Sequence, residues 1–166
     1  MIIRSKAPLR LGLAGGGTDV APFSELYGGA ILNATISMYA YATIQPRTDG
    51  KIVLNSMDKR EFYTFDAAEQ LVIDGNLDLH KGIYNKIVRK YTGKALSFEL
   101  STYVDAPPGS GLGTSSTLVV AIVGAFAEWL NIPMGEYDLA HLAYEIERND
   151  LGMAGGQQPG PDATSG

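Results

Sequence analysis

The stretch Pro107-Pro-Gly-Ser-Gly-Leu-Gly-Thr-Ser-Ser116 decides the fold of this chain. It joins an alternating, strand-like run from Ala95 to Val104 to a strongly apolar, helical run from Leu118 to Leu130. Three glycines within five residues let the backbone approach an anion closely, and hydroxyl side chains follow where the helix would begin. Unpaired N–H groups and the positive end of the helix dipole favour a phosphate at such a position. The stretch therefore predicts a strand, a phosphate-binding loop and a helix in succession.

A second glycine-rich element, Ala7-Pro-Leu-Arg-Leu-Gly-Leu-Ala-Gly-Gly-Gly-Thr-Asp19, also follows a strand-like run and ends in a hydroxyl and a carboxylate. Either element alone is compatible with an ordinary tight turn. The loop at 107–116 lacks the Gly-Lys-Ser/Thr ending of the common P-loop, and the element at 7–19 lacks the Gly-x-Gly-x-x-Gly of dinucleotide-binding proteins. The presence of both elements in one chain favours phosphate binding of a different type.

Together the two elements resemble the galactokinase, homoserine kinase, mevalonate kinase and phosphomevalonate kinase (GHMP) superfamily of small-molecule kinases. The likeness is closest to the branch that acts on heptose phosphates. In that branch the first motif is followed by a Tyr-Gly-Gly such as Tyr27-Gly28-Gly29, and the second reads Pro-x-Gly-Ser-Gly-Leu-Gly-Ser/Thr-Ser. The resemblance extends from residue 2 to about residue 158. It implies the ribosomal protein S5 domain 2-like fold of a GHMP kinase N-terminal domain.

Composition and spacing fit one α+β domain, rich in strands in its first half and helical in its second. The chain has 166 residues, of which 45% are hydrophobic, which is enough for one sizeable core. We expect strands to Ala14, over 51–55 and over 61–65, one long strand or two over 30–46, and a short helix or turn at 23–27. Longer helices are expected over 80–91 and 135–150.

Charge and composition exclude several classes of protein. The net charge is −5, and the sequence has no basic run, so we expect no nucleic-acid partner. There are no cysteines, which excludes a disulfide framework and a zinc–thiolate site. Neither a signal sequence nor a long apolar span is visible, so we expect a cytoplasmic protein without a membrane partner.

The resemblance implies which residues bind ATP and which bind the sugar. Asp19 matches an acid that hydrogen-bonds sugar hydroxyls, with Gly16, Gly17 and Thr18 beside it. Arg10 matches a basic residue near the transferred phosphoryl group, where a cation stabilises the transition state. Pairing of Arg10 with a nearby carboxylate is the alternative. The implied ATP-binding residues are Pro107, Gly109, Ser110, Gly111, Leu112, Gly113, Thr114, Ser115 and Ser116.

Two acidic residues of the last predicted helix, Glu145 and Glu147, lie on different faces of it. Its apolar stripe consists of Leu139, Leu142, Ala143 and Ile146. Glu145 falls on the opposite face with His141, where pairs between neighbouring turns are ordinary surface features. Glu147 lies at the edge of the apolar face and so points toward the body of the protein, where a bound cation or a lysine would be its partner. The resemblance implies catalytic importance for Glu147, as a magnesium ligand together with Ser115.

Other residues are expected to have structural roles only. His80 and His141 lie on polar faces of predicted helices, and we expect both to be solvated. Trp129 is expected in the core or at its rim, as are most of the tyrosines.

The resemblance ends in the tail. After Gly155-Gly156-Gln157-Gln158 the family continues into Asp-Gln-Tyr, whose aspartate is its proposed catalytic base, whereas this chain has Pro159. Family members are about twice as long as this chain, in keeping with a second domain. We therefore expect residues 1–158 to form the N-terminal, ATP-binding domain, residues 159–166 to be a divergent tail, the C-terminal domain to be absent, and catalysis by this chain alone to be weak or absent.

The implied reaction is ATP- and Mg²⁺-dependent phosphorylation of the anomeric hydroxyl of a heptose 7-phosphate, with ATP and the sugar phosphate as small-molecule partners. A non-catalytic nucleotide- or sugar-binding module and a GHMP kinase of the fucose or galactose type stay open. A dinucleotide-binding oxidoreductase fits poorly, because no ribose-binding acid follows the second motif at the usual distance. A homodimer also stays open, since half of the family fold would expose an apolar face.

Overall fold

Five strands form one sheet in the computed structural model, which describes residues 1–18 and 21–147. The strands lie in the order β1-β2-β5-β3-β4, and all neighbours are antiparallel except β3 and β5, which are parallel. A parallel pair requires a long crossover connection, and here β4 and α2 lie within it. The strands are β1 (Ile3–Ala14), β2 (Leu32–Pro46), β3 (Lys51–Ser56), β4 (Glu61–Asp66) and β5 (Phe98–Val104).

Four helices complete the described part of the fold: α1 (Phe23–Tyr27), α2 (Asp78–Ile87), α3 (Thr114–Leu130) and α4 (Glu136–Glu145). The expected helix over 80–91 is therefore α2 extended by a π-helical turn, Val88–Thr92, which ends at Gly93. The helix α3 begins four residues before its apolar run, because residues 114–117 form its first turn and the Thr117 amide donates to the Gly113 carbonyl (3.0 Å). No helix in the described ranges is long and apolar enough to cross a membrane. The α+β prediction is confirmed.

The core lies between one face of the sheet and α3. Alternate residues of β5 are buried, as expected for a strand with one covered face. Phe98 packs edge-on against Phe126 of α3, with 5.2 Å between ring centroids, and its ring lies 5.6 Å from that of Trp129. Because α3 contacts the sheet, α2 and α4, it is apolar on almost every side. Trp129, half-buried, lies at the rim of the core as predicted.

The prediction for His80 was wrong. Its side chain is 1% exposed, and its Nε2 lies 2.9 Å from the Thr102 hydroxyl oxygen. Burial lowers the pKa of His80 from 6.5 to about 4, with a smaller contribution from the charge of Lys59. The helix α2 is turned so that His80 faces β5, a rotation that its apolar spacing alone did not specify. His141, in contrast, is exposed as predicted.

Candidate active site

The fold brings the two glycine-rich elements together at the start of α3. The Arg10 amide on β1 donates to the Leu112 carbonyl (3.3 Å), and the Arg10 side chain lies against Gly113. The pairing of β1 with β2 is irregular between Pro8 and Arg10. Irregularities of this kind re-aim a side chain. Arg10 is thereby held at the loop that precedes α3.

The loop before α3 has the backbone of an anion site. Gly109, Gly111 and Gly113 all have left-handed φ angles, of 78°, 75° and 70°, which glycine adopts readily. Left-handed residues that alternate with others turn successive N–H groups toward a common point. Since no side chain caps α3 within the described structure, the N–H groups of residues 114–116 are available to a ligand, whereas that of Thr117 donates to Gly113. The predicted phosphate loop therefore has suitable geometry.

The loop of the first element is a tight turn fastened to Ala30. A Cβ atom on Gly15 would lie 1.9 Å from the Ala30 carbonyl oxygen, so only glycine fits there. The Thr18 hydroxyl lies 2.8 Å from the Gly15 carbonyl oxygen and 3.0 Å from that of Ala30, and it accepts from the Ala30 amide (3.2 Å). Gly16 and Gly17 have open space where a side chain would be. Asp19 lies outside the described residues.

A cavity of about 800 Å³ lies beside these elements. It brings together three predicted site residues, Arg10, Ser116 and Glu147. Ser115 is exposed and does not line the cavity, and neither do residues 107–114 of the predicted ATP-binding loop or Gly16, Gly17 and Thr18. The residues that line it are Ala7, Pro8 and Arg10 of β1, Ala21, Ser24 and Glu25 in and before α1, Ser116, Thr117 and Val120 of α3, and Ala140, Ala143, Tyr144 and Glu147 in and after α4.

The acidic residues Glu145 and Glu147 have different environments, as the helical spacing predicted. Glu147 is half-buried in the wall of the cavity. Glu145 instead lies 3.7 Å from the Nδ1 of His141, 3.5 Å from the Nζ of Lys86 and 3.9 Å from that of Lys90. The pair with His141 follows from their spacing of four residues, whereas the two lysines come from the end of α2 and the turn after it.

The charged groups of the cavity do not pair with one another in the described structure. Arg10 forms no salt bridge there, so the alternative of a nearby carboxylate partner is not seen. Residues 1–18 and 21–147 also contain no group of three or more His, Cys, Asp or Glu side chains that could hold a metal. A metal ion bound by Glu147 would therefore take its other ligands from oxygen atoms that do not belong to such a cluster of side chains.

Several cavity residues were not predicted from the sequence, among them Ser24, Glu25 and Tyr144. The sequence predicted a short helix or turn at α1, but a five-residue element has no periodicity from which to tell its inner side. The sequence contains one indication of their role, which is that Ser24 and Glu25, a hydroxyl and an acidic residue, follow shortly after the first glycine-rich element. Tyr144 resembled an ordinary exposed residue, and its side chain is 58% exposed.

The chain is similar to proteins of a known family. Residues 78–160 match the family of GHMP kinases N terminal domains. The chain is 56% identical, over 99% of its length, to the D-glycero-alpha-D-manno-heptose 7-phosphate kinase of Campylobacter jejuni, of which it covers 48%. The chain thus spans about half the length of this curated relative, and less of several others.

Solved structures show the same likeness. A D-glycero-D-manno-heptose 1-phosphate kinase from Bacteroides thetaiotaomicron superposes with a TM-score of 0.89 at 56% identity, over 94% of this chain and 51% of that one. The galactokinase of Lactococcus lactis, solved with galactose, superposes with a TM-score of 0.74 at 25% identity, over 91% of this chain and 38% of that one. The two heptose phosphate kinases are named for different phosphate positions.

Proposed function

Because the chain belongs to the GHMP kinase family through its N-terminal domain, we propose that it forms the nucleotide-binding part of an ATP-dependent sugar kinase of the cytoplasm. The acceptor is a heptose 7-phosphate. Its anomeric oxygen forms a bond to the γ-phosphorus of ATP as the bond to the leaving ADP breaks and the hydroxyl proton is released to solvent, which gives the 1,7-bisphosphate and ADP. The Campylobacter jejuni relative, named a heptose 7-phosphate kinase, supports this choice of acceptor. The Bacteroides thetaiotaomicron structure supports a heptose phosphate more generally.

The position of Arg10 at the start of α3 carries the proposal. The N-terminal end of a helix bears positive partial charge, so a guanidinium beside it is repelled unless an anion lies between them. Arg10 has no salt-bridge partner in the ranges that the structure covers. Helix end, glycine loop and cation therefore converge on a place that suits a triphosphate. Phosphoryl transfer depends mainly on such positioning and charge stabilisation.

By their chemistry, Glu147 and Ser115 are the residues that would hold a magnesium ion bound together with the phosphates. Carboxylate and hydroxyl oxygens are suitable ligands, and protein sites commonly hold Mg²⁺ by one or two carboxylates plus substrate phosphates. Glu147 lies in the cavity wall, and Ser115 is exposed in the first turn of α3. Bound there, the ion would neutralise phosphate charge. Arg10 would orient the γ-phosphoryl group, and the loop residues of 107–116 would hold the rest of the triphosphate.

Thermal unfolding of the 166-residue chain with and without ATP and Mg²⁺ tests the proposal. We expect ATP to stabilise the chain, by about 2.7 kcal/mol at a concentration 100 times its Kd. The variant Gly113→Asp should lose this stabilisation, because its carboxylate would meet the Arg10 guanidinium and occupy the anion site. Gly50→Asp is the matched control, since Gly50 has a φ of 69° against 70° for Gly113 and open space where a side chain would begin.

The result can contradict the proposal in two ways. One is a folded chain that ATP does not stabilise, and the other is a Gly113→Asp variant that ATP stabilises as well as it does the wild type. Stabilisation by a nicotinamide dinucleotide in place of ATP would indicate an oxidoreductase instead.

A further inference from the structure

Two side chains of α1 line the cavity and have no part in the proposed nucleotide site. Ser24 is half-buried and Glu25 is exposed, and both share the cavity with Arg10 and Glu147. The segment that carries α1 is closed at its two ends by the hydrogen bonds between the Thr18 hydroxyl and the backbone of Ala30. The position of α1 at the cavity is therefore secured by the same loop as the first glycine-rich element.

The Glu25 carboxylate lacks a partner within the described ranges. Neither a hydrogen bond nor a salt bridge reaches it there, although Arg10 lines the same cavity. An ionised carboxylate only accepts hydrogen bonds, so its ligand must supply N–H or O–H donors. It also repels phosphate. The uncharged, hydroxyl-bearing part of a sugar phosphate has both properties that Glu25 requires.

The charged groups of the cavity thus favour different ligands at two places, the start of α3 and the side of α1. Arg10 and the start of α3 favour the anionic triphosphate, whereas α1 presents an acceptor carboxylate and the hydroxyl of Ser24, which both donates and accepts. The cavity of about 800 Å³ has room for a sugar beside Arg10 and the first turn of α3, whereas residues 107–115 of the phosphate loop do not line it. We infer that Glu25, assisted by Ser24, binds hydroxyl groups of the acceptor sugar and so contributes to acceptor specificity. This inference rests on the proposed function.

Calorimetric titration of the 166-residue chain with three separate probes tests this role: D-glycero-D-manno-heptose 7-phosphate, inorganic phosphate and ATP with Mg²⁺. In Glu25→Gln, the affinity for the sugar phosphate should fall about 10- to 100-fold, since hydrogen bonds to a charged group are among the stronger ones. The affinity for inorganic phosphate should stay equal or rise, because a repelling charge has been removed. By the same argument, the affinity for ATP with Mg²⁺ should not fall. A weaker sugar-phosphate affinity without a weaker affinity for phosphate or ATP is not expected from a merely structural change.

Glu136→Gln is the matched control, because Glu136 is an exposed acid in the first turn of α4 that does not line the cavity. An equal sugar-phosphate affinity in Glu25→Gln and wild type would overturn the inference and leave the proposed function intact. A loss of Mg²⁺-dependent ATP binding in Glu25→Gln would also overturn it, since Glu25 would then serve the metal. A wild-type chain that binds ATP but no sugar phosphate would place the acceptor site elsewhere, and one that binds neither would refute both proposals.

Discussion

The guanidinium carbon of Arg10 lies 3.4 Å from the position that a Cβ atom on Gly113 would occupy. Gly113 is the last residue before α3, and its left-handed φ of 70° favours glycine. The contact joins the strand of the first glycine-rich element to the loop of the second. It also leaves a positive side chain beside the positive end of a 17-residue helix. This unfavourable pair becomes favourable once an anion separates its members.

Replacement of Arg10 by methionine tests that relationship. Without ligand, we expect Arg10→Met to be as stable as the wild type or up to about 1 kcal/mol more stable, since a repulsion at the helix end is removed. With ATP and Mg²⁺, the variant should lose most of its stabilisation. Thermal unfolding with and without nucleotide measures both effects.

Arg4→Met is the control for Arg10→Met, because Arg4 is exposed on the same strand and does not line the cavity. It should keep the full response to ATP. An Arg10→Met variant that is destabilised without ligand, yet fully stabilised by ATP, would contradict the assigned role.

Glu147→Gln should remove the magnesium dependence of ATP binding. The amide keeps the size of the side chain but loses the charge that holds a hard cation. We expect ATP to stabilise the wild type more strongly with Mg²⁺ than with a chelator, and Glu147→Gln to show little difference between the two conditions. Titrations of ATP at fixed Mg²⁺ and in chelator provide the measurement.

Glu145→Gln is a matched control for Glu147→Gln, only two positions away. Glu145 faces Lys86, Lys90 and His141, and its side chain is 28% exposed. Its loss should lower stability by about 1 kcal/mol or less, as for other partly exposed ion pairs, and should leave the magnesium dependence intact. If both variants lose that dependence equally, the effect belongs to the helix and not to Glu147.

His80 should make the chain less stable in acid. Its pKa is about 4 in the folded chain, against 6.5 for an ordinary histidine, so the unfolded chain takes up the proton first as pH falls. The contribution of neutral His80 is complete above pH 6.5 and is lost between pH 6.5 and 4, by on the order of 3 kcal/mol in total. Denaturant unfolding at a series of pH values measures the loss.

The variant His80→Gln should flatten this part of the pH profile, because the amide does not titrate. His141→Gln should leave it unchanged, since the His141 side chain is 71% exposed. A wild-type profile that is flat between pH 6.5 and 4 would contradict the assignment.

Thr18→Val should loosen the attachment of the first loop to Ala30. The valine keeps the shape of threonine but cannot accept from the Ala30 amide, and a hydrogen bond of this kind contributes about 1 kcal/mol. We expect hydrogen exchange at the Ala30 amide to become about fivefold faster. Exchange measured by NMR at this amide reports the change directly.

Thr18→Ser keeps the hydroxyl and should keep the protection of Ala30. The Met57 amide, which donates to Thr102 at a distant part of the sheet, is an internal reference and should not change in either variant. Equal protection of Ala30 in the wild type and in Thr18→Val would show that the hydroxyl does not hold the loop.

The order of the main strands and helices followed from the sequence alone, whereas the sequence left open whether 23–27 is a helix or a turn and whether 30–46 is one strand or two. Alternation marks β4, whose burial alternates along the strand, whereas β3 contains three successive buried apolar residues, Ile52 to Leu54. The apolar run after residue 117 marks α3, which is buried on nearly all sides. The edge position of Glu147 and the surface pair of Glu145 with His141 followed from the 3.6-residue helical period. Such features depend on neighbours along the chain, which a sequence displays directly.

Only the tertiary structure decided which distant residues meet. The contact of Arg10 with Gly113 depends on the irregular pairing in β1 and on the packing of α3 against β1 and β2. The burial of His80 depends on how α2 is rotated against β5, and the approach of Glu25 to the cavity depends on a loop closed by Thr18. Periodicity tells which side chains share a face, but the rotation of each element is set by packing against partners far away in sequence.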